Sequence, residues 1–171
     1  MIRFGIRFLL AFALLASAFE ASRGTGFERF VVERLTLAPV TMLINRITPT
    51  EQVRLTGRTL LCAHGSSLRV TRGCEGIELL LLLVAAVLAF PACWEARWRG
   101  LAIGCALTYL LSLARLLALH YTLRYSPTAW NLLHGLILPL APIALIMLYF
   151  LRWSASASGP AAPLAPDAAI A

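Results

Sequence analysis

Cys74 sits in the run Gly73-Cys74-Glu75-Gly76-Ile77-Glu78, directly ahead of the most apolar stretch of the chain, Leu79 to Phe90. A thiol becomes a nucleophile when a nearby cation or a helix N-terminus stabilises its thiolate, and this one is placed at a helix start. Gly73 and Gly76 would let an extended peptide approach the backbone closely. Two further residues have the types that complete such a site. His134, at the opening of the last apolar run, suits a general base that takes the thiol proton and later returns one to a leaving amine. Arg115 lies inside an apolar run, where a guanidinium is costly and usually faces a protein interior. Beside a thiol it would stabilise the oxyanion formed on an attacked carbonyl. Each has a plainer reading when taken alone: an inert buried thiol, a histidine at a headgroup boundary, an arginine snorkelling to the headgroups.

Other residues stand close to these three in sequence. Glu78 is four residues after Cys74, on the same helical face, and suits a group that orients His134 or Arg115. His120 ends its apolar run and either joins the site or faces water, while His64 falls in a predicted turn. Glu75 reads as a solvated first-turn acid favoured by the helix dipole. Cys62 offers a rival arrangement, a disulfide with Cys74, whereas Cys93 and Cys105 read as structural. There is no C-x-x-C, and the spacing shows no metal or cofactor constellation.

The elements that must position these residues are membrane helices. Of the 171 residues, 60% are hydrophobic, more than a soluble domain carries. Several runs approach the roughly 20 apolar residues that a spanning helix needs. The net charge of +7 is carried by arginine alone. Scattered between apolar runs and without a nucleic-acid motif, it points to anionic headgroups and against nucleic acid. The expected fold is an all-α polytopic membrane protein, with about four transmembrane helices and a small extracytoplasmic segment between the first and second.

Residues 1–19 form the first helix, or a signal peptide with Ala16-Ser17-Ala18 at its cleavage site; the retained helix is favoured. Residues 20–73 carry an interfacial amphipathic helix over Phe27 to Ile47. Short strands follow at Val53–Gly57, Thr59–Ala63 and Ser67–Thr71. Residues 74–152 form a three-helix core with spans at Ile77–Cys93, Leu101–His120 and Leu132–Leu151. Trp94, Trp98, Tyr121, Trp130 and Trp153 mark interfaces. Residues 153–171, rich in Ala, Pro, Ser and Gly, are expected to be a disordered cytoplasmic tail.

Orientation follows from the short loops. Arg97, Arg99 and Arg152, with Arg3 and Arg7, assign those ends to the cytoplasm. The arginines of 20–73 oppose this, but a long segment behind an N-terminal signal crosses with less regard to charge. Cys74 then enters the bilayer from outside. Arg115 lies five residues below the outer end of its helix, about 7 to 8 Å deep at 1.5 Å per residue, and His134 lies within one turn. All three share one layer at the outer face of the cell's inner membrane.

Gly73-Cys74-Glu75-Gly76-Ile77-Glu78 before a leucine-rich helix, Leu113-Ala114-Arg115 ending the next, and Asn131-Leu132-Leu133-His134 opening the last together resemble the exosortase/archaeosortase family, in a compact bacterial branch. The resemblance covers roughly Val53 to Leu151. It implies a membrane-embedded cysteine transpeptidase or protease with Cys74 as nucleophile, His134 as general acid/base and Arg115 as oxyanion stabiliser. Gly73, Gly76, Glu78, Asn131 and His120 would be supporting residues. The implied partners are membrane-anchored proteins ending in a sorting signal (a short motif, a spanning helix, a basic tail) and a lipid or glycan acceptor, with no cofactor. The family commonly has Asn or Ser where this chain has Glu75, and often Asn near Ser112. Two other classes fit the residues: a membrane thiol oxidoreductase using Cys62 and Cys74, and a non-catalytic assembly subunit.

Overall fold

The computed structural model describes residues 2–63, 65, 67–71 and 75–158. Helix α1, Ile2–Ala21, packs along α4, Ile77–Ala89. After a turn at Ser22–Thr25 the chain makes one helical rod over 26–47. This rod is α2 (Gly26–Arg29), a π-helical stretch (Phe30–Leu37) and α3 (Ala38–Ile47). It occupies the segment where the sequence predicts an interfacial helix.

The π stretch has a local cause. Pro39 has no N–H for the carbonyl of Leu35, and its ring crowds that turn. The backbone widens ahead of it, with Ala38 N donating to Glu33 O. The Leu35 carbonyl accepts from the Tyr109 hydroxyl at 2.8 Å, which ties the rod to α5 (Trp94–Tyr125).

The predicted strands form, shorter than expected: β1 (Arg54–Thr56), β2 (Thr59–Leu61) and β3 (Ser67–Arg69) make an antiparallel sheet in that order. Thr56 pairs with Thr59, so Gly57 and Arg58 make a two-residue turn. Gly57 takes φ +56° there, a value glycine adopts without strain. Leu55, Leu60 and Leu68 stand opposite one another in register. Leu60 and Leu68 are buried against Val32, Ile44, Ile77 and Leu116. The sheet, the rod, the start of α4 and α5 therefore share one core. Asn45 fastens the rod to the sheet by pairing with both backbone groups of Val53, at 2.9 and 2.7 Å.

Among the described residues, three helices are long and apolar enough to cross a membrane: Ile2–Ala21, Trp94–Tyr125 and Pro127–Ala157. The predicted span Ile77–Cys93 is corrected to Ile77–Ala89, 13 residues. Phe90 is extended ahead of Pro91, as a residue before proline prefers. The predicted Leu101–His120 becomes the 32-residue α5. Its apolar run ends near His120, but no proline interrupts the helix until Pro127, so it continues as a polar extension to Tyr125. Arg115 is thus ten residues from the helix end, and the depth argued from an end at His120 does not carry over.

The last helix is α6 (Trp130–Leu132), a π stretch (Leu133–Ile137) and α7 (Leu138–Ala157). Again a proline, Pro139, follows the π stretch. The tail expected from residue 153 is helical through Ala157; 159–171 lie outside the described residues. Trp153, expected at an interface, is buried and donates its indole N–H to Ala96 O at 3.0 Å.

A second feature was not anticipated from the sequence. Gly100, Gly104, Thr108 and Ser112 are all buried on α5, four residues apart and so on one face. Small residues let helices approach closely in a membrane. Trp153 lies over Gly100 and Tyr149 against Gly104, with the Tyr149 hydroxyl donating to Gly100 O at 2.6 Å. Ser112, at the other end of the stripe, receives the start of α4.

Candidate active site

The start of α4 is set by Gly76, its N-cap, at φ +78°. A Cβ there would meet Ser112 Oγ at 2.0 Å, so glycine is required both by backbone conformation and by space. Ser112 Oγ donates to Thr108 O at 2.9 Å, which holds the hydroxyl against its own helix. The small-residue stripe of α5 thereby fixes where the chain after Cys74 enters the helical bundle.

A cavity of about 240 Å³ opens beside this contact. Gly76, Glu78, Ser112 and half-buried Arg115 form its polar side, and Leu79, Leu82, Pro139, Pro142, Ile143 and Phe12 its apolar side. Glu78 is exposed in the first turn of α4. Leu79, Leu82 and Ile143 also line an apolar groove of about 280 Å³ between α1, α4 and α7. The Arg115 cavity and the apolar groove therefore adjoin, with these three residues as a shared wall.

His134 lies in the π stretch ahead of α7 and is half-buried. Leu138 N donates to Leu133 O, the wide register that π turns use, often at functional positions. The His134 ring stacks on Trp130, with centroids 5.0 Å apart and planes 14° apart. It borders a small cavity with Val70, Thr71, Leu116 and Leu119. Among the described residues, then, His134 borders the space next to Thr71, and Arg115 borders the space next to Gly76. Cys74 and Gly73, like His64, lie outside the described residues. In sequence, Cys74 falls between Thr71 and Gly76.

Glu75 corrects an expectation. It is 7% exposed rather than solvated, and its carboxylate is paired with Arg58 on the β1–β2 turn. Arg58 also reaches Glu28 of α2 at 3.4 Å. Burial pushes the Glu75 carboxyl above its ordinary value, against the pull of Arg58. Asn131 is exposed on α6. His120 does not line the Arg115 cavity or the His134 cavity; it is buried near Glu51 and Cys62. Cys62, Cys93 and Cys105 are free thiols.

Sequence reasoning missed Ser112 and Arg58 as positioning groups. The four-residue spacing of small residues could have pointed to Ser112. Nothing local marks Arg58, because its partners lie 30 residues before it in α2 and 17 after it at Glu75. Comparison of the chain with protein-family models, with curated proteins and with solved structures finds no match.

Proposed function

We propose that this chain is a membrane-embedded cysteine transpeptidase of the exosortase type, acting on exported proteins that end in a motif, a spanning helix and a basic tail. The observation that carries the reading is that the Arg115 cavity adjoins the apolar groove. Such a substrate needs a polar place for its motif directly above an apolar place for its helix. Arg115, Glu78 and Ser112 supply the first, and α1, α4 and α7 the second.

In this mechanism His134 takes the proton of the Cys74 thiol, and the thiolate adds to the scissile carbonyl. Arg115 stabilises the oxyanion. The tetrahedral species collapses as His134 gives its proton to the departing amine, leaving a thioester on Cys74. An amine, hydroxyl or water acceptor then attacks the thioester, frees the thiol and completes transfer or hydrolysis. Docking of the substrate helix beside the enzyme converts a three-dimensional encounter into one within the membrane plane. The short-loop arginines favour the extracytoplasmic side of the inner membrane for this chemistry.

The test is coexpression with tagged proteins that end in such a signal, chosen from the same genome. Processing should occur with the native enzyme and stop with Cys74→Ala at normal enzyme abundance. Conversion at the native rate by Cys74→Ala would sink the reading.

A further inference from the structure

Glu51, Cys62 and His120 come from three separate elements: the 3-10 turn Pro49–Glu51, the residue after β2, and the upper part of α5. One ligating atom from each lies within 4.8 Å of the others. Glu51 is 1% exposed and His120 3%. Both have a buried atom, Glu51 Oε2 and His120 Nε2, without a hydrogen-bond partner among the described residues. Burying such groups unsatisfied is costly. A cation is one group that would satisfy both and the neighbouring thiol together.

The surroundings are built to hold these ligands in place. Arg124 Nε donates to Glu51 Oε1 at 3.0 Å, which orients the carboxylate and leaves its second oxygen available. Ala63 N donates to Glu51 O at 3.0 Å, joining the Cys62 turn to the Glu51 turn. The hydroxyls of Thr48 and Tyr121 hydrogen-bond at 2.8 Å, joining that turn to the part of α5 that carries His120. Gln52, next to Glu51, is held at φ 42° and ψ 49°, a left-handed conformation unusual for a residue with a side chain.

We propose that Glu51, Cys62 and His120 bind a first-row divalent cation, with zinc the best match. A thiolate, an imidazole and a carboxylate are the borderline-soft donor set that zinc takes. Carboxylate and thiolate together neutralise the dication, and the thiol proton leaves to solvent on binding. Zinc–ligand distances of about 2.0 to 2.3 Å require the three ligands to close by no more than roughly 1 Å from the 4.8 Å limit on their separations. Three protein ligands leave a fourth position for water. The ion would fasten the Glu51 turn and the end of β2 to α5, and would hold the Cys62 sulfur as a metal thiolate. This site is independent of the transpeptidase reading.

The full-length protein, purified in detergent and stripped with a chelator, is titrated with Zn²⁺ and with Co²⁺. One equivalent should bind, and bound Co²⁺ should show thiolate-to-metal charge-transfer absorption in the near ultraviolet. Cys62→Ser should abolish that absorption, and His120→Gln should weaken zinc binding by at least about tenfold. Cys74→Ala and Cys93→Ser should keep both. Gel filtration and circular dichroism of each stripped variant establish that it is folded; Glu51→Gln, which also disturbs the Arg124 pair, serves as a third variant. Zinc binding unchanged in folded Cys62→Ser, cobalt binding without thiolate absorption, or no stoichiometric binding by the native chain would each overturn the proposal.

Discussion

The Arg58 guanidinium, on the turn of the β1–β2 hairpin, is paired with the carboxylate of Glu75, the residue immediately before the N-cap of α4. The same guanidinium reaches Glu28. One side chain thus links the hairpin, the helical rod and the backbone that follows Cys74. This connection makes the position of the proposed nucleophile depend on the hairpin and the rod.

Stability should change with pH through Glu75. Its carboxyl is raised above the ordinary 4.5, so the folded state holds the proton more tightly than the unfolded state. That contribution is full below about pH 4.5 and is lost as pH rises through the folded value. Thermal unfolding in detergent should show this fall in the native protein and a flatter profile in Glu75→Gln. Arg58→Met, which removes the cation that opposes the shift, should move the fall to higher pH. An unchanged profile in Glu75→Gln would contradict the argument.

Gly76→Ala should destabilise the protein by about 1–3 kcal/mol from backbone strain alone, with the collision against Ser112 added to it. Replacing Ser112 by Gly in the same chain should recover the steric part and leave the strain. Unfolding midpoints of the two variants separate these contributions, and equal stability of Gly76→Ala and the native chain would refute both.

Processing rates test the two cavities separately. Arg115→Ala should lower kcat by about 10²–10³, as loss of an oxyanion donor does, and His134→Ala by about 10²–10⁴. In the proposed reaction Trp130, stacked on the imidazole, would act through His134 as a positioning residue. Trp130→Ala should lower kcat with KM nearly constant and displace the pH–rate profile, whereas Trp130→Phe should restore both by keeping a ring beneath the imidazole. A native profile in Trp130→Ala would remove that role.

At the far end of α5, a Cβ on Gly100 would lie 2.4 Å from the Trp153 indole. Gly100→Leu should therefore push α7 away and cost about 1–3 kcal/mol. Trp153→Phe, which loses the bond to Ala96 O, should cost about 0.5–1.5 kcal/mol. Detergent unfolding measures both.

Much of this arrangement was legible from local pattern. Hydropathy located the apolar helices, and weak alternation with the turn expected at His64-Gly65-Ser66 located the three strands. Helix ends were read less well because hydropathy reports lipid contact rather than hydrogen bonding. Beyond His120 the helix is polar yet continues, sustained by contacts of Tyr121 with Thr48 and Arg124 with Glu51. Those contacts are also why the Glu51–Cys62–His120 cluster was invisible. Its members are far apart in sequence and meet only through tertiary packing, which no spacing rule encodes.

The brevity of α4 has a consequence for the lipid itself. Thirteen residues reach about 20 Å, whereas the 20 residues of α1 beside it reach about 30 Å, the usual hydrocarbon thickness. Were α4 to meet lipid at both ends, the bilayer would thin locally around it rather than expose its polar ends. The dimple so formed would lower the headgroup layer toward Gly76 and Glu78. A substrate of the proposed kind would then meet water at a depth where its own helix is still within lipid.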